Sequence, residues 1–177
     1  MNEKVKFLEK LKKEKRIIDF IIPAENSEKK VCRKPFLYLS IKENGEISTC
    51  CNDFMKDNIV GNIKDNTLEE IWNGEKIRNI RKKLLQGDYS QCNIDLCRDK
   101  AEINSSLLSE YCAPPRYILF DYDRECNFYC TYCRDKQEKN TKDNIKFFNK
   151  KINKQFPFLL KDACEIAVSG AGEAFYS

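Results

Sequence analysis

The stretch Cys126-Asn-Phe-Tyr-Cys130-Thr-Tyr-Cys133 places three thiols within eight residues, separated by three residues and then by two. A four-iron, four-sulfide cube takes one ligand per iron, normally four thiolates. Three thiols in one loop therefore leave one iron open to a chelating ligand, with Phe128, Tyr129 and Tyr132 as low-dielectric walls. The other seven cysteines are Cys32, Cys50, Cys51, Cys92, Cys97, Cys112 and Cys164, and the chain has no histidine. That absence excludes mixed cysteine–histidine zinc sites, a histidine general base and a Cys/His dyad. Soft thiolates without imidazole favour iron–sulfur clusters or all-thiolate zinc.

Around these thiols the chain has the composition of a folded protein. Of its 177 residues 41% are hydrophobic, enough for a core, and 34% are charged. No run of 18 apolar residues predicts a membrane-spanning helix. Met1 to Arg16 is rich in lysine but lacks the apolar region and cleavage site of a signal peptide. The expected location is the cytoplasm, where clustered cysteines bind metal rather than form a disulfide scaffold. Lys4, Lys6, Lys10, Lys12, Lys13, Lys15 and Arg16 alternate with Glu3, Glu9 and Glu14. Opposite charges at helical spacing describe a solvated helix face, so neither a nucleic-acid nor a membrane partner is expected.

The elements that must position the thiols can be read in order. Residues 3 to 20 read as an amphipathic helix and 23 to 30 as a linker. Phe36 to Ile41 alternates as a strand does, Glu43-Asn-Gly45 marks a turn, and Glu46 to Thr49 returns. Thr67-Leu-Glu-Glu70 fits a capping box. The following helix has Ile71, Trp72, Ile77, Ile80, Leu84 and Leu85 as its apolar stripe, an interruption at Asn73-Gly74, and Gly87 as its cap. Residues 98 to 115 read as a connector. Tyr117 to Tyr122 reads as a buried strand, Arg134 to Asn144 as a polar loop, Ile145 to Phe156 as a helix and Ala163 to Ser169 as a second buried strand. Strand, helix and strand make a βαβ unit with parallel strands. Cys164, placed in that second strand, reads as a small buried hydrophobe.

The Cys126–Cys133 loop, set at the carboxyl end of a strand, resembles the radical S-adenosylmethionine (SAM) superfamily. Its members share a Cys-x3-Cys-x2-Cys loop after the first strand of a partial (βα) barrel, with an aromatic residue before the third cysteine. Tyr132 fills that place here. The resemblance implies that Cys126, Cys130 and Cys133 hold a SAM-binding [4Fe–4S] cluster, and that Tyr132 packs near the adenine. Gly170-Ala171-Gly172-Glu173 is similar to the family's Gly-Gly-Glu segment, with Ala171 in place of one glycine and Ala174 where proline is common. By the resemblance it meets the SAM amino group. Electron transfer would then cleave SAM and start radical modification of a substrate, with peptides or proteins as the favoured class and a flavodoxin or ferredoxin as low-potential donor. No residue of the chain is singled out as catalytic.

Cys32, twelve residues, Gly45, four residues, Cys50 and then Cys92-x4-Cys97 is a second pattern. With Cys32-Arg-Lys-Pro-Phe36, Gly45-Glu-Ile-Ser-Thr-Cys50-Cys-Asn-Asp53, Gly61-Asn-Ile63 and Leu68-Glu-Glu-Ile-Trp-Asn73, it resembles the SPASM/twitch domains that accompany many radical SAM enzymes. The resemblance implies one auxiliary [4Fe–4S] cluster on Cys32, Cys50, Cys92 and Cys97, with Cys51 and Cys112 as alternatives for any single ligand. The hairpin would bring Cys32 and Cys50 together, and the capped helix would return Cys92 and Cys97 to them.

The expected fold is therefore an α+β, cysteine-rich, SPASM-like domain followed by the first βαβ of a radical SAM partial barrel. Its divisions are an N-terminal helix and linker (1–30), the SPASM-like domain (31–113) and the start of the radical SAM domain (114–177). A (βα) unit takes roughly 30 residues, so the barrel is expected to be incomplete and the chain to be a truncated product or a fragment. Two other readings remain open. One is a non-catalytic iron–sulfur protein for electron transfer or docking. The other is a structural zinc protein with four-cysteine sites, in which the Cys126 loop borrows Cys112 or Cys164.

Overall fold

The computed structural model describes residues 30–42, 45–50, 59–93, 95, 97, 102–105, 108–121, 131 and 142–168. The expected helix over 3 to 20, the 126–133 loop apart from Thr131, and residues 170–173 lie outside them.

A five-stranded sheet organises these residues, in the order β4-β3-β2-β6-β7. Its strands are β2 (Tyr38–Lys42), β3 (Glu46–Ser48), β4 (Ile59–Asn62), β6 (Tyr117–Asp121) and β7 (Glu165–Val168). The meander β2-β3-β4 is antiparallel. β6 joins β2 in parallel and β7 joins β6 in parallel. A separate pair, β1 (Lys30–Cys32) with β5 (Glu102–Asn104), runs antiparallel. Among the described residues the helices are α1 (Lys34–Leu37), α2 (Leu68–Trp72), α3 (Glu75–Leu85) and α4 (Lys142–Leu159). The parallel βαβ expected from the sequence is present as β6-α4-β7, on a sheet it shares with the hairpin.

Local sequence accounts for the helix ends. Thr67 Oγ1 accepts the Glu70 N–H, and Glu70 returns a carboxylate to the Thr67 N–H at 2.8 Å, a complete capping box. α2 ends at Asn73, and α3 starts after Gly74. α3 closes in a Schellman motif: Gly87, at φ +80°, donates to the Leu84 carbonyl, and the Asp88 N–H reaches the Lys83 carbonyl. The Asp88 carboxylate then accepts the Ser90 N–H, a second turn that carries the chain to Cys92.

One core spans the described residues. It joins Val31, Phe36, Leu39, Ile41 and Ile47 to Leu68, Trp72, Ile77, Ile80 and Leu84, and to Ile118, Phe120, Phe148, Ile152 and Leu159. Each side chain of this size contributes about 1.5–3 kcal/mol on burial. Arg81 is buried on the same face of α3.

Four expectations need correction. Phe36 and Leu37 belong to the helical turn α1, and the strand starts at Tyr38. Pro35, with its fixed φ and missing N–H, suits a first helical turn better than a central strand. The connector 98–115 contains β5, whose three residues are too few to show periodicity. The helix expected over 145 to 156 runs from Lys142 to Leu159, with Pro157 tolerated in its final turn. The strand expected to be buried near Cys164 is β7, an edge strand with Ile166 44% and Val168 54% exposed. Cys164 itself precedes β7 and is exposed, because no strand or helix among the described residues covers that margin of the sheet.

Candidate metal centre

The described residues include six of the ten cysteines: Cys32, Cys50, Cys92, Cys97, Cys112 and Cys164. Cys51, Cys126, Cys130, Cys133, Tyr132, Gly170, Ala171, Gly172 and Glu173 lie outside the described residues.

Cys32 closes β1 in register with Glu102 of β5. Its N–H donates to the Tyr89 hydroxyl at 3.3 Å, while the Tyr89 carbonyl accepts the Cys92 N–H at 2.8 Å. Tyr89 is thus a tie between two thiol-bearing segments that are 60 residues apart in the chain. The Cys97 N–H bonds the Asn93 carbonyl at 3.0 Å, which draws Cys97 back toward Cys92. Cys50 follows β3, with Ser48 Oγ donating to its carbonyl at 2.8 Å.

All four are half-buried, and Cys50 and Cys92 pack against the core. Burial pushes the Cys92 thiol up, and the Cys97 thiol and the Asp88 carboxylate push it further in the same direction. Cys92 and Cys97 are therefore electrostatic neighbours. Two thiolates this close would repel each other, and a cation between them would remove that repulsion.

Cys92 and Cys97 come together, and Tyr89 ties Cys32 to their loop. Among the described residues, however, no three cysteine, aspartate or glutamate side chains converge closely enough to hold one metal ion. In its chemistry alone, four soft thiols with no imidazole in the chain, the donor set fits an iron–sulfur cluster.

Cys112 and Cys164 have partners of their own. Cys112 is pinned to Asn73, whose Oδ1 accepts its N–H and whose Nδ2 donates to its carbonyl, both at 3.0 Å. Cys164 contacts the Arg116 guanidinium through its sulfur. Sequence reasoning missed Tyr89, and no spacing rule marks it: its role comes from the Schellman and Asp88 turns just before it.

A family model described as SPASM, an iron–sulfur cluster-binding domain, matches residues 32–99. The match opens on Cys32 and encloses Cys50, Cys51, Cys92 and Cys97, leaving Cys112 and Cys164 outside. No curated protein and no solved structure matches the chain. The class defined at this site is an iron–sulfur cluster-binding domain of the SPASM type at residues 32–99. Among the described residues, no helix is long and apolar enough to cross a membrane.

Proposed function

We propose that this chain holds an auxiliary [4Fe–4S] cluster on Cys32, Cys50, Cys92 and Cys97 and serves radical SAM chemistry. The observation that carries the first half is the SPASM match, which begins on Cys32 and contains all four thiols, together with the adjacency of Cys92 and Cys97. The protein's own work there is positional. Tyr89 fixes the backbone of Cys32 against that of Cys92, and the apolar core behind Cys50 and Cys92 excludes water from one side.

The second half rests on the Cys126, Cys130 and Cys133 spacing, with Tyr132 and Gly170 to Glu173 as the SAM contacts. When bound, that cluster and SAM would supply reductive cleavage to a radical that acts on a peptide or protein, with electrons from a flavodoxin or ferredoxin. The alternative is a non-catalytic iron–sulfur protein for electron transfer or docking. It is favoured by the extent of the family match, which covers the auxiliary-type segment alone.

Anaerobic reconstitution with iron and sulfide tests both halves, read by metal content and by EPR of the reduced protein with and without SAM. About eight irons per chain, two four-iron cubes, with one signal altered by SAM, is the expected result. About four irons lost on Cys92→Ala and no response to SAM would leave the electron-transfer reading. Zinc retained in place of iron would overturn both.

A further inference from the structure

Thr49 lies between Ser48, the last residue of β3, and Cys50, and its exposure is 0%. Its hydroxyl has no hydrogen-bond partner. Ser48 is equally buried, but its hydroxyl donates to the Cys50 carbonyl at 2.8 Å. Buried nitrogens in the same position belong to arginines engaged through their other N–H groups. Arg78 donates to the Tyr111 hydroxyl, and Arg81 to Pro35, Asn73 and Glu110. Among the described residues, Thr49 is thus the buried side chain whose entire hydrogen-bonding capacity is unspent.

A buried hydroxyl without an acceptor costs stability, because it has given up its bonds to water and gained none. Valine has nearly the same shape and would carry no such cost. Thr49 follows β3 and lies in no helix, so the bond to a carbonyl one turn back that helical threonines use is not open to it. One peptide away, at about 3.8 Å between Cα atoms, stands Cys50, which packs against the core. A cluster sulfur there would carry negative charge, and a hydroxyl donated to an anion makes the stronger kind of hydrogen bond. Hydrogen bonds to the sulfurs are among the features that set the reduction potential of an iron–sulfur cluster.

We propose that Thr49 tunes the auxiliary cluster, its hydroxyl donating to a cluster sulfur on the Cys50 side and holding the reduction potential up. The inference rests on the reading of Cys50 as a cluster ligand. Reduction adds an electron and so raises the negative charge on the sulfurs. A bond donated to them then strengthens, and the hydroxyl favours the reduced state. Thr49 is not itself a ligand, so iron content depends on the four thiols and the potential on Thr49.

A redox titration of the full chain reconstituted with iron and sulfide, followed by the EPR signal that Cys92→Ala lacks, tests the proposal. Thr49→Val should hold as much iron as the parent. It should shift the one-electron reduction equilibrium about tenfold toward the oxidised form, a potential about 59 mV lower. Thr49→Ser, which restores the hydroxyl, should recover most of that shift. Thr49→Ala should behave as Thr49→Val does, so the alanine and serine variants still give the comparison if the valine variant loads poorly. Equal potentials in the parent and the variants without a hydroxyl, or a serine variant as low as those variants, would overturn the inference and leave the cluster in place. A parent chain that takes up no iron would overturn the cluster reading and this inference with it.

Discussion

Arg81 is a charged side chain with 0% exposure on a helix face otherwise made of isoleucine and leucine. Its Nε donates to the Pro35 carbonyl at 2.8 Å. Its Nη1 donates to the Glu110 carbonyl at 3.0 Å and to Asn73 Oδ1 at 3.2 Å. The guanidinium also lies 4.5 Å from the Trp72 ring centre. These partners are neutral, so burial pulls Arg81 down to about 10, with the neighbouring Cys112 thiol acting in the opposite direction. Cys112 shows the mirror effect: burial pushes its thiol up to about 11 although Arg81 favours the thiolate. Because the thiolate is the reactive form, Cys112 in the folded chain should resist iodoacetamide near neutral pH while exposed Cys164 is modified first. Labelling of Cys112 should climb as the pH approaches 11. With its folded value above the ordinary one near 9, the thiol's contribution to stability is intact below 9 and is lost as pH rises through about 11. Equal labelling rates for the two cysteines at pH 7.5, read by peptide mass spectrometry, would sink this account. The burial of Arg81 was legible in its position, four residues after Ile77 and three before Leu84. Its charge concealed it, since a charged residue in a stripe normally marks the solvent side. Cys32, Cys50, Cys92 and Cys97 stand out in the sequence by their spacing, and the cluster-binding match over residues 32–99 contains all four.

At the scale of elements, the β2–β3 turn depends on Gly45. Its φ is +76°, its N–H donates to the Lys42 carbonyl, and its carbonyl accepts the Ile63 N–H. A Cβ there would sit 2.6 Å from Phe148 Cε1 and 2.9 Å from Ile63 Cγ1, so the turn, β4 and α4 all close on this one position. Gly87 shares the left-handed conformation, but a Cβ on it would meet nothing within 4 Å. Gly45→Ala should therefore cost the conformational penalty of about 1–2 kcal/mol plus about 1–3 kcal/mol of overpacking. Gly87→Ala should cost the conformational part alone. Urea midpoints at unchanged slope would measure both, and equal losses for the two variants would refute the contact argument. The turn at Gly45 and the capping box at Thr67 were readable because each rests on a few adjacent residues. The division of Phe36 to Ile41 was not, because the apolar alternation outweighed the single signal of Pro35. β1 and β5 were hidden for a different reason: each is three residues long and exists through its partner about 70 positions away.

The whole molecule is joined by a pairing that no local pattern announces. β2, within the stretch matched as a cluster-binding domain, takes β6 as its parallel neighbour from Tyr38–Tyr117 to Lys42–Asp121. Ile118, Phe120, Phe148 and Ile152 then share one core with Val31, Ile47 and Trp72. The Trp72 indole donates to the Ala113 carbonyl at 2.6 Å, in the segment that leads into β6. Separating residues 32–99 from β6, α4 and β7 would expose the full hydrogen-bonding edge of β2 and the core side chains that Ile118, Phe120, Phe148 and Ile152 cover. The two segments should accordingly unfold together. Trp72, the sole tryptophan, reports on the first segment, and amide exchange at Ile118 to Phe120 reports on the second. Their urea midpoints should coincide, as a single cooperative unit requires. Two separated transitions, with the Ile118 to Phe120 amides opening before Trp72 fluorescence changes, would show instead that β6 and β7 are held by an independent unit and that the shared core contributes little.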